Sequence, residues 1–136
     1  MFPILEENQL NVICRIARHT SRFEEITNFY TQILGLEVLG EFKDHAGYKG
    51  IFLGLTDADW HLEFTSDGSE PQHDPDKDDL LVFYPQSGSE YTNILQRFND
   101  AGIARVAAKN PYWNDNGVLF EDPDGFGIVI SHLKCK

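Results

Sequence analysis

The feature that most constrains this chain is an internal repeat. Gly35 and Gly102 each close an apolar helical pattern and stand 67 residues apart; Asp57 and Asp122, like Asp59 and Asp124, stand 65 apart, and the apolar positions Leu62 and Ile128 stand 66 apart. A nearly constant offset across features in the same order argues for an internal duplication. Each half must then build the same small unit.

In the first half, residues 11–17 (NVICRIA) read as a strand. Ser21 and Glu24 have the spacing of a capping box, and Phe23, Ile26, Tyr30, Ile33 and Leu34 recur at helical spacing. Gly35 supplies the left-handed residue that stops this helix. Strands are predicted over 37–42, 48–55 and 60–65, separated by KDHAG and TDAD, which have turn chemistry. The stretch SDGSEPQHDPDKDD is polar, acidic and broken by prolines, so it reads as a solvated linker with His73 in water.

The second half repeats the order. LLVFY (80–84) is a predicted strand, Ser87 and Glu90 again have capping-box spacing, and Tyr91, Ile94, Leu95 and Phe98 form the apolar helix face that Gly102 ends. Strands are predicted over 103–107, 117–121 and 126–132, with NPYWND (110–115) as a loop and DPDG (122–125) as a turn. The expected organisation is one α+β domain, 1–136, with modules at about 11–66 and 79–134 joined by an acidic linker, 67–78.

A chain of 136 residues can bury a core without disulfide or metal staples. Eleven basic against 22 acidic residues give a net charge of −11, which repels phosphate backbones and anionic lipid. Nucleic-acid and membrane partners are therefore not expected, and no apolar run is long enough to span a bilayer. The start, MFPILEENQ, lacks the basic end and long apolar stretch of a secretory signal, so the expected compartment is the cytoplasm. Cys14 lies in an apolar run and reads as a buried small hydrophobe, and Cys135 lies near the end; both are expected reduced. No Cys/His cluster with zinc spacing is present.

Three segments resemble the glyoxalase I, bleomycin-resistance and extradiol dioxygenase proteins of the vicinal oxygen chelate superfamily. RIARHTSRFEEITNFYTQILGLE (15–37) is similar to the first strand and helix of that family, WHLEFTSD (60–67) to its fourth strand, and FEDPDGFGIVI (120–130) to its last hairpin. The resemblance implies two tandem βαβββ modules, with curled mixed sheets enclosing a shared cleft and helices on the outer faces. Strand alternation then places His61, Glu63 and Thr65 on one face and Leu62 and Phe64 on the other. The apolar pair should meet a helix, which points His61 and Glu63 into the cleft.

Enzymes of the family hold a divalent metal through four strand positions. Carried onto this chain, these fall near Asn11, on Glu63, at or beside Asp79, and on Val129. Valine cannot ligate, and the internal offset of 66 from Glu63 lands on the same residue. The resemblance therefore implies a divergent member that binds a small molecule without the four-ligand metal site and with no cofactor expected. The alternative is a metal-dependent lyase or dioxygenase with an altered site at His61, Glu63 and Asp79. Aromatic candidates for the cleft wall are Phe83, Phe52, Tyr48 and Trp113. An acidic chain with a cleft carboxylate and aromatic rings suits an aromatic or cationic ligand, and the family implies a homodimer.

Overall fold

The computed structural model describes residues 10–134. In the first module β1 (Cys14–His19), α1 (Phe23–Asn28), β2 (Glu37–His45), β3 (Tyr48–Gly54) and β4 (Trp60–Ser66) follow one another. The second holds β5 (Leu80–Phe83), α2 (Gly88–Asp100), α3 (Pro111–Asn116), β6 (Gly117–Glu121) and β7 (Gly127–Ser131). The strand orders are β1-β4-β3-β2 and β5-β7-β6. In each sheet the first strand runs parallel to the last, β1 beside β4 and β5 beside β7, while the hairpin strands are antiparallel. This is the α+β architecture of two mixed sheets expected from the repeat.

Several local features follow from the residues named above. Gly35 (φ +103°) and Gly102 (φ +73°) both adopt the left-handed conformation that ends a helix. Ser87 caps α2, its hydroxyl accepting the Glu90 backbone N–H at 3.1 Å. Others differ, each because a tertiary partner wins over the local signal. Ser21 does not cap α1: its hydroxyl donates to Glu70 at 2.9 Å, and Arg22 occupies the cap position without a side-chain bond. α1 runs on through a π turn, Phe29–Ile33, where the Leu34 N–H bonds the Phe29 carbonyl.

β1 begins at Cys14, not at residue 11, because Cys14 pairs with Trp60, where its neighbour β4 starts. It is the outer strand of its sheet, so Cys14 is exposed, not buried; Cys135 lies outside the described residues. The strand expected over 103–107 is reduced to a single bridge between Val106 and Leu119. The segment NPYWND is helix α3, not a loop, since Asn110 caps it by accepting the Tyr112 N–H and Pro111 opens it. The linker is strapped down: His73 Nε2 donates to the His19 carbonyl at 2.6 Å and its ring lies 5.0 Å from Phe126, edge-on, so His73 is not simply solvated. His19 in turn donates to Asp67, whose carboxyl Ser69 holds down at about 2. That contact contributes above the ordinary carboxyl range and is lost only as the pH falls toward 2.

The helix-covered faces of the two sheets share one core. Ile26, Tyr30, Leu62 and Phe64 of the first module form a single buried cluster with Phe98, Phe120, Ile128 and Ile130 of the second. Phe98 stacks on Phe120 at 3.9 Å and meets Phe29 edge-on at 5.5 Å. Arg97 of α2 donates to the Ile33 and Leu34 carbonyls, satisfying the end of the first helix from the other module. The EDPDG turn adds a buried clasp. Asp122 Oδ2 accepts from Arg18 of β1 and from the Tyr30 hydroxyl, each at 2.6 Å, while Oδ1 accepts the Asp124 and Phe126 N–H groups. The Arg18 guanidinium also lies 3.6 Å over the Phe126 ring.

The Asp122 side chain is 0% exposed and Arg18 is 13% exposed, so solvent screens this pair little. Asp122→Ala, which leaves Arg18 buried without a partner, is expected to cost about 3–5 kcal/mol in urea unfolding. A loss below about 1 kcal/mol would show that the clasp does not hold the halves together. Burial, then the neighbouring Asp122 charge, pushes the Tyr30 phenol well above its ordinary value of 10. The folded state therefore keeps this proton more tightly, and its contribution is intact below pH 10 and fades as the pH rises above it. Tyr30→Phe should flatten that alkaline limb in melts run from neutral to high pH.

Candidate functional site

On β4 the alternation sorts side chains as expected. Leu62 (2% exposed) and Phe64 (1%) enter the core, which leaves His61 and Glu63 on the helix-free face. Strand pairing then decides what stands beside them. Arg15 is the β1 partner of His61, Ala17 that of Glu63, and Phe52 of β3 is directly opposite Glu63. Directly paired residues share a face, so Arg15, Phe52, His61 and Glu63 form one patch.

Their contacts are mutual. Arg15 Nε donates to His61 Nε2 at 2.8 Å, which requires the neutral imidazole to carry its proton on Nδ1. Arg15 Nη1 lies 3.9 Å from Glu63 Oε1, and the guanidinium sits 4.4 Å over the Phe52 ring. Phe52 meets the His61 ring at 6.2 Å, near perpendicular. The glycines of the neighbouring strands keep this floor low: a Cβ at Gly40 would lie 3.3 Å from the Phe52 ring, and one at Gly54 would lie 3.2 Å from His61 Cβ. Arg15 is 49% exposed and Glu63 only 14%, so the cation forms the accessible rim and the carboxylate the floor.

The other residues named from the sequence fall elsewhere. Tyr48 begins β3 on the parity of Phe52, half-exposed and 6.4 Å from the His19 ring. Phe83 pairs with Ile130 and so belongs to the helix-covered side, where its ring meets Trp60 at 5.9 Å. Val129 pairs with Val82 and Leu119 on the opposite side of that sheet and is fully buried. Phe83 and Val129 therefore cannot line one wall. Trp113 lies in α3, half-buried, against Tyr112. Asp79 is an exposed turn residue ahead of β5, and Asn11 precedes β1, so neither reaches Glu63 through a ladder. Among the described residues no group of three or more His, Cys, Asp or Glu side chains could hold a metal ion.

The pairing also tests the repeat. Glu63 of β4 lies beside Ala17 of the parallel strand β1, and Val129 of β7 lies beside Val82 of the parallel strand β5. Val129 thus occupies in the second sheet the place Glu63 holds in the first, both opposite the helix-covered side. The first floor is polar and the second apolar. Arg15 is the residue that sequence reasoning missed; laying β1 parallel against β4, with Ile16 beside Leu62, would have placed it next to His61.

Two family models cover most of the chain: a YycE-like N-terminal domain matches residues 14–65 and a YycE-like C-terminal domain residues 78–132. The chain belongs to the YycE-like family. It is 44% identical over 121 residues to the uncharacterized protein YycE of Bacillus subtilis (strain 168), covering 88% of this chain and 87% of that one. A crystal structure of a YycE protein of unknown function from Bacillus subtilis, suggested to be a glyoxalase/fosfomycin resistance protein, matches with a TM-score of 0.84 and 42% identity over 92% of each chain. More distant structures share the fold. Glyoxalase I of Leishmania major has a TM-score of 0.68 at 16% identity, covering 90% of this chain and 86% of that one. The fosfomycin resistance protein FosX of Listeria monocytogenes, complexed with Mn(II) and a dihydroxypropylphosphonic acid, has 0.71 at 13%, covering 93% and 95%. The YycE-like family thus lies within the vicinal oxygen chelate superfamily.

Because Arg15 is half-exposed, its ion pair with Glu63 should add little to stability. Arg15→Ala is expected to change the unfolding free energy by less than about 1 kcal/mol. It should also release the His61 ring from the Nδ1–H tautomer, visible in ¹⁵N correlation spectra of the imidazole. A stability loss of about 2 kcal/mol or more would instead make the cluster a structural clamp.

Proposed function

We propose that the protein binds a small molecule on the helix-free face of its first sheet, held by Arg15, Phe52, His61 and Glu63, and does so without a divalent metal. The observation that carries this reading is the Arg15 cluster. A cation, an imidazole and a carboxylate are preorganised over an aromatic ring, on a face that no helix among the described residues covers. Preorganised polar groups beside apolar surface are what a small-molecule site requires.

The residues at the family's metal positions do not fit a divalent cation. Arg15 points its charge at Glu63, His61 Nε2 already accepts from Arg15, and the second sheet offers Val82 and Val129. The lyase or dioxygenase reading built on His61, Glu63 and Asp79 draws no support from this geometry. The expectation of a cationic ligand also shifts. It rested on an acidic chain with a cleft carboxylate and aromatic rings, and with Arg15 beside Glu63 the patch favours an aromatic molecule carrying hydrogen-bond acceptors.

A homodimer would close this open face. Exposed Val12 (58%) and Ile13 (67%) next to the outer strand β1 support such a contact. Light scattering after size exclusion should give twice the chain mass; a monomer at micromolar concentration would remove the partner from the site. Elemental analysis of the purified, dialysed protein is expected to show well under one equivalent of Mn, Fe, Ni or Zn. Ligands found by screening should bind equally with and without EDTA and lose about tenfold or more in Arg15→Ala. A full equivalent of metal surviving dialysis and lost in Glu63→Ala would overturn the metal-free reading.

A further inference from the structure

Behind the floor formed by Arg15, His61 and Glu63, on the helix-covered side of the same two strands, lies a cavity of about 440 Å³ between the modules. We propose that this cavity is a second binding site, separate from the Arg15 patch, and that it takes an uncharged apolar molecule containing an aromatic ring. β1 and β4 supply one wall with Ile16, Trp60 and Leu62; β5 supplies the other with Leu81 and Phe83. Ile94 of α2 closes the side between them.

Three observations carry the assignment. The volume lies within the roughly 300–1,000 Å³ of small-molecule sites and far above the ~30 Å³ share of one water. Second, the rim is apolar as well: Ile16, 45% exposed, and Leu55, 43% exposed, present aliphatic side chains at the mouth. Third, the Trp60 and Phe83 rings meet at 5.9 Å and 60° and remain partly buried, leaving aromatic surface toward the space.

The charge on the ligand follows from the two charged residues of the lining, Arg97 and Glu90. Arg97 Nε and Nη2 donate to the Ile33 and Leu34 carbonyls, so this cation is spent on the end of the first helix. Glu90 is exposed and forms no ion pair among the described residues, and Arg97 keeps its charge although its donors are occupied, so the lining carries one charge of each sign. The rim therefore selects for no net charge, and an uncharged ring suits the apolar interior.

The test uses the full chain and two dyes of similar shape, neutral N-phenyl-1-naphthylamine and its sulfonated counterpart 1-anilinonaphthalene-8-sulfonate. The neutral dye is expected to bind saturably at one per chain, quench Trp60 fluorescence, and bind about tenfold or more tightly than the sulfonate. Ile16→Phe combined with Leu55→Phe fills the rim at exposed positions, where folding should persist; an unchanged thermal melt confirms it. That variant should weaken the neutral dye by about tenfold or more, while Arg15→Ala should leave its binding within about twofold. Tighter binding of the sulfonate in Arg15→Ala, where the other patch has lost its cation, would overturn the uncharged-ligand assignment. Loss of dye binding in Arg15→Ala, or none at all in the natural chain, would overturn the second site itself.

Discussion

Asp122 is a carboxylate with no access to water, and removing such a charge from solvent is costly unless partners replace the lost hydration. Here they do so from both halves. Arg18 and Tyr30 come from the first module, and the Asp124 and Phe126 amides from the turn itself. Both carboxylate oxygens are used, so the arrangement has one register. A slip of the turn by one residue would leave a buried charge without a partner. Together with Arg97 on the Ile33 and Leu34 carbonyls, this clasp sets how the second sheet sits against the first, and with it the cavity between them.

The clasp also changes what the EDPDG signature means. In the sequence it reads as a turn, and the structure adds that Asp122 ties this turn to the first module. The motif that best marks the superfamily is thus a packing device.

What could be read from the chain was what local chemistry decides. Gly35 and Gly102 had to end helices, Ser87 had to cap one, and the alternation of β4 had to separate Leu62 from Glu63. What could not be read depended on partners remote in sequence. Ser21 has the same spacing as Ser87 but finds Glu70 across the linker. The start of β1 is set by where β4 begins, and the value of Arg15 appears only when His61, 46 residues away, is laid beside it. Phe83 and Val129 were both candidates for the cleft, Phe83 for its wall and Val129 at a metal position, but Val129 pairs with Val82 and Phe83 with Ile130, which puts them on opposite faces.

The contrast between a polar first floor and an apolar second one has an evolutionary side. In the genetic code a valine codon can become a glutamate codon by one base change, so the carboxylate missing at position 129 is mutationally close. Packing is the obstacle. Val129 is wholly buried, and even Gly117 beside it has no room for a Cβ, which would come within 2.7 Å of the valine methyl. A glutamate there would be an unpaired charge in a sealed space until the surrounding strands had opened. An acidic side chain at this position would therefore have to follow changes at its neighbours, whatever the codon allows.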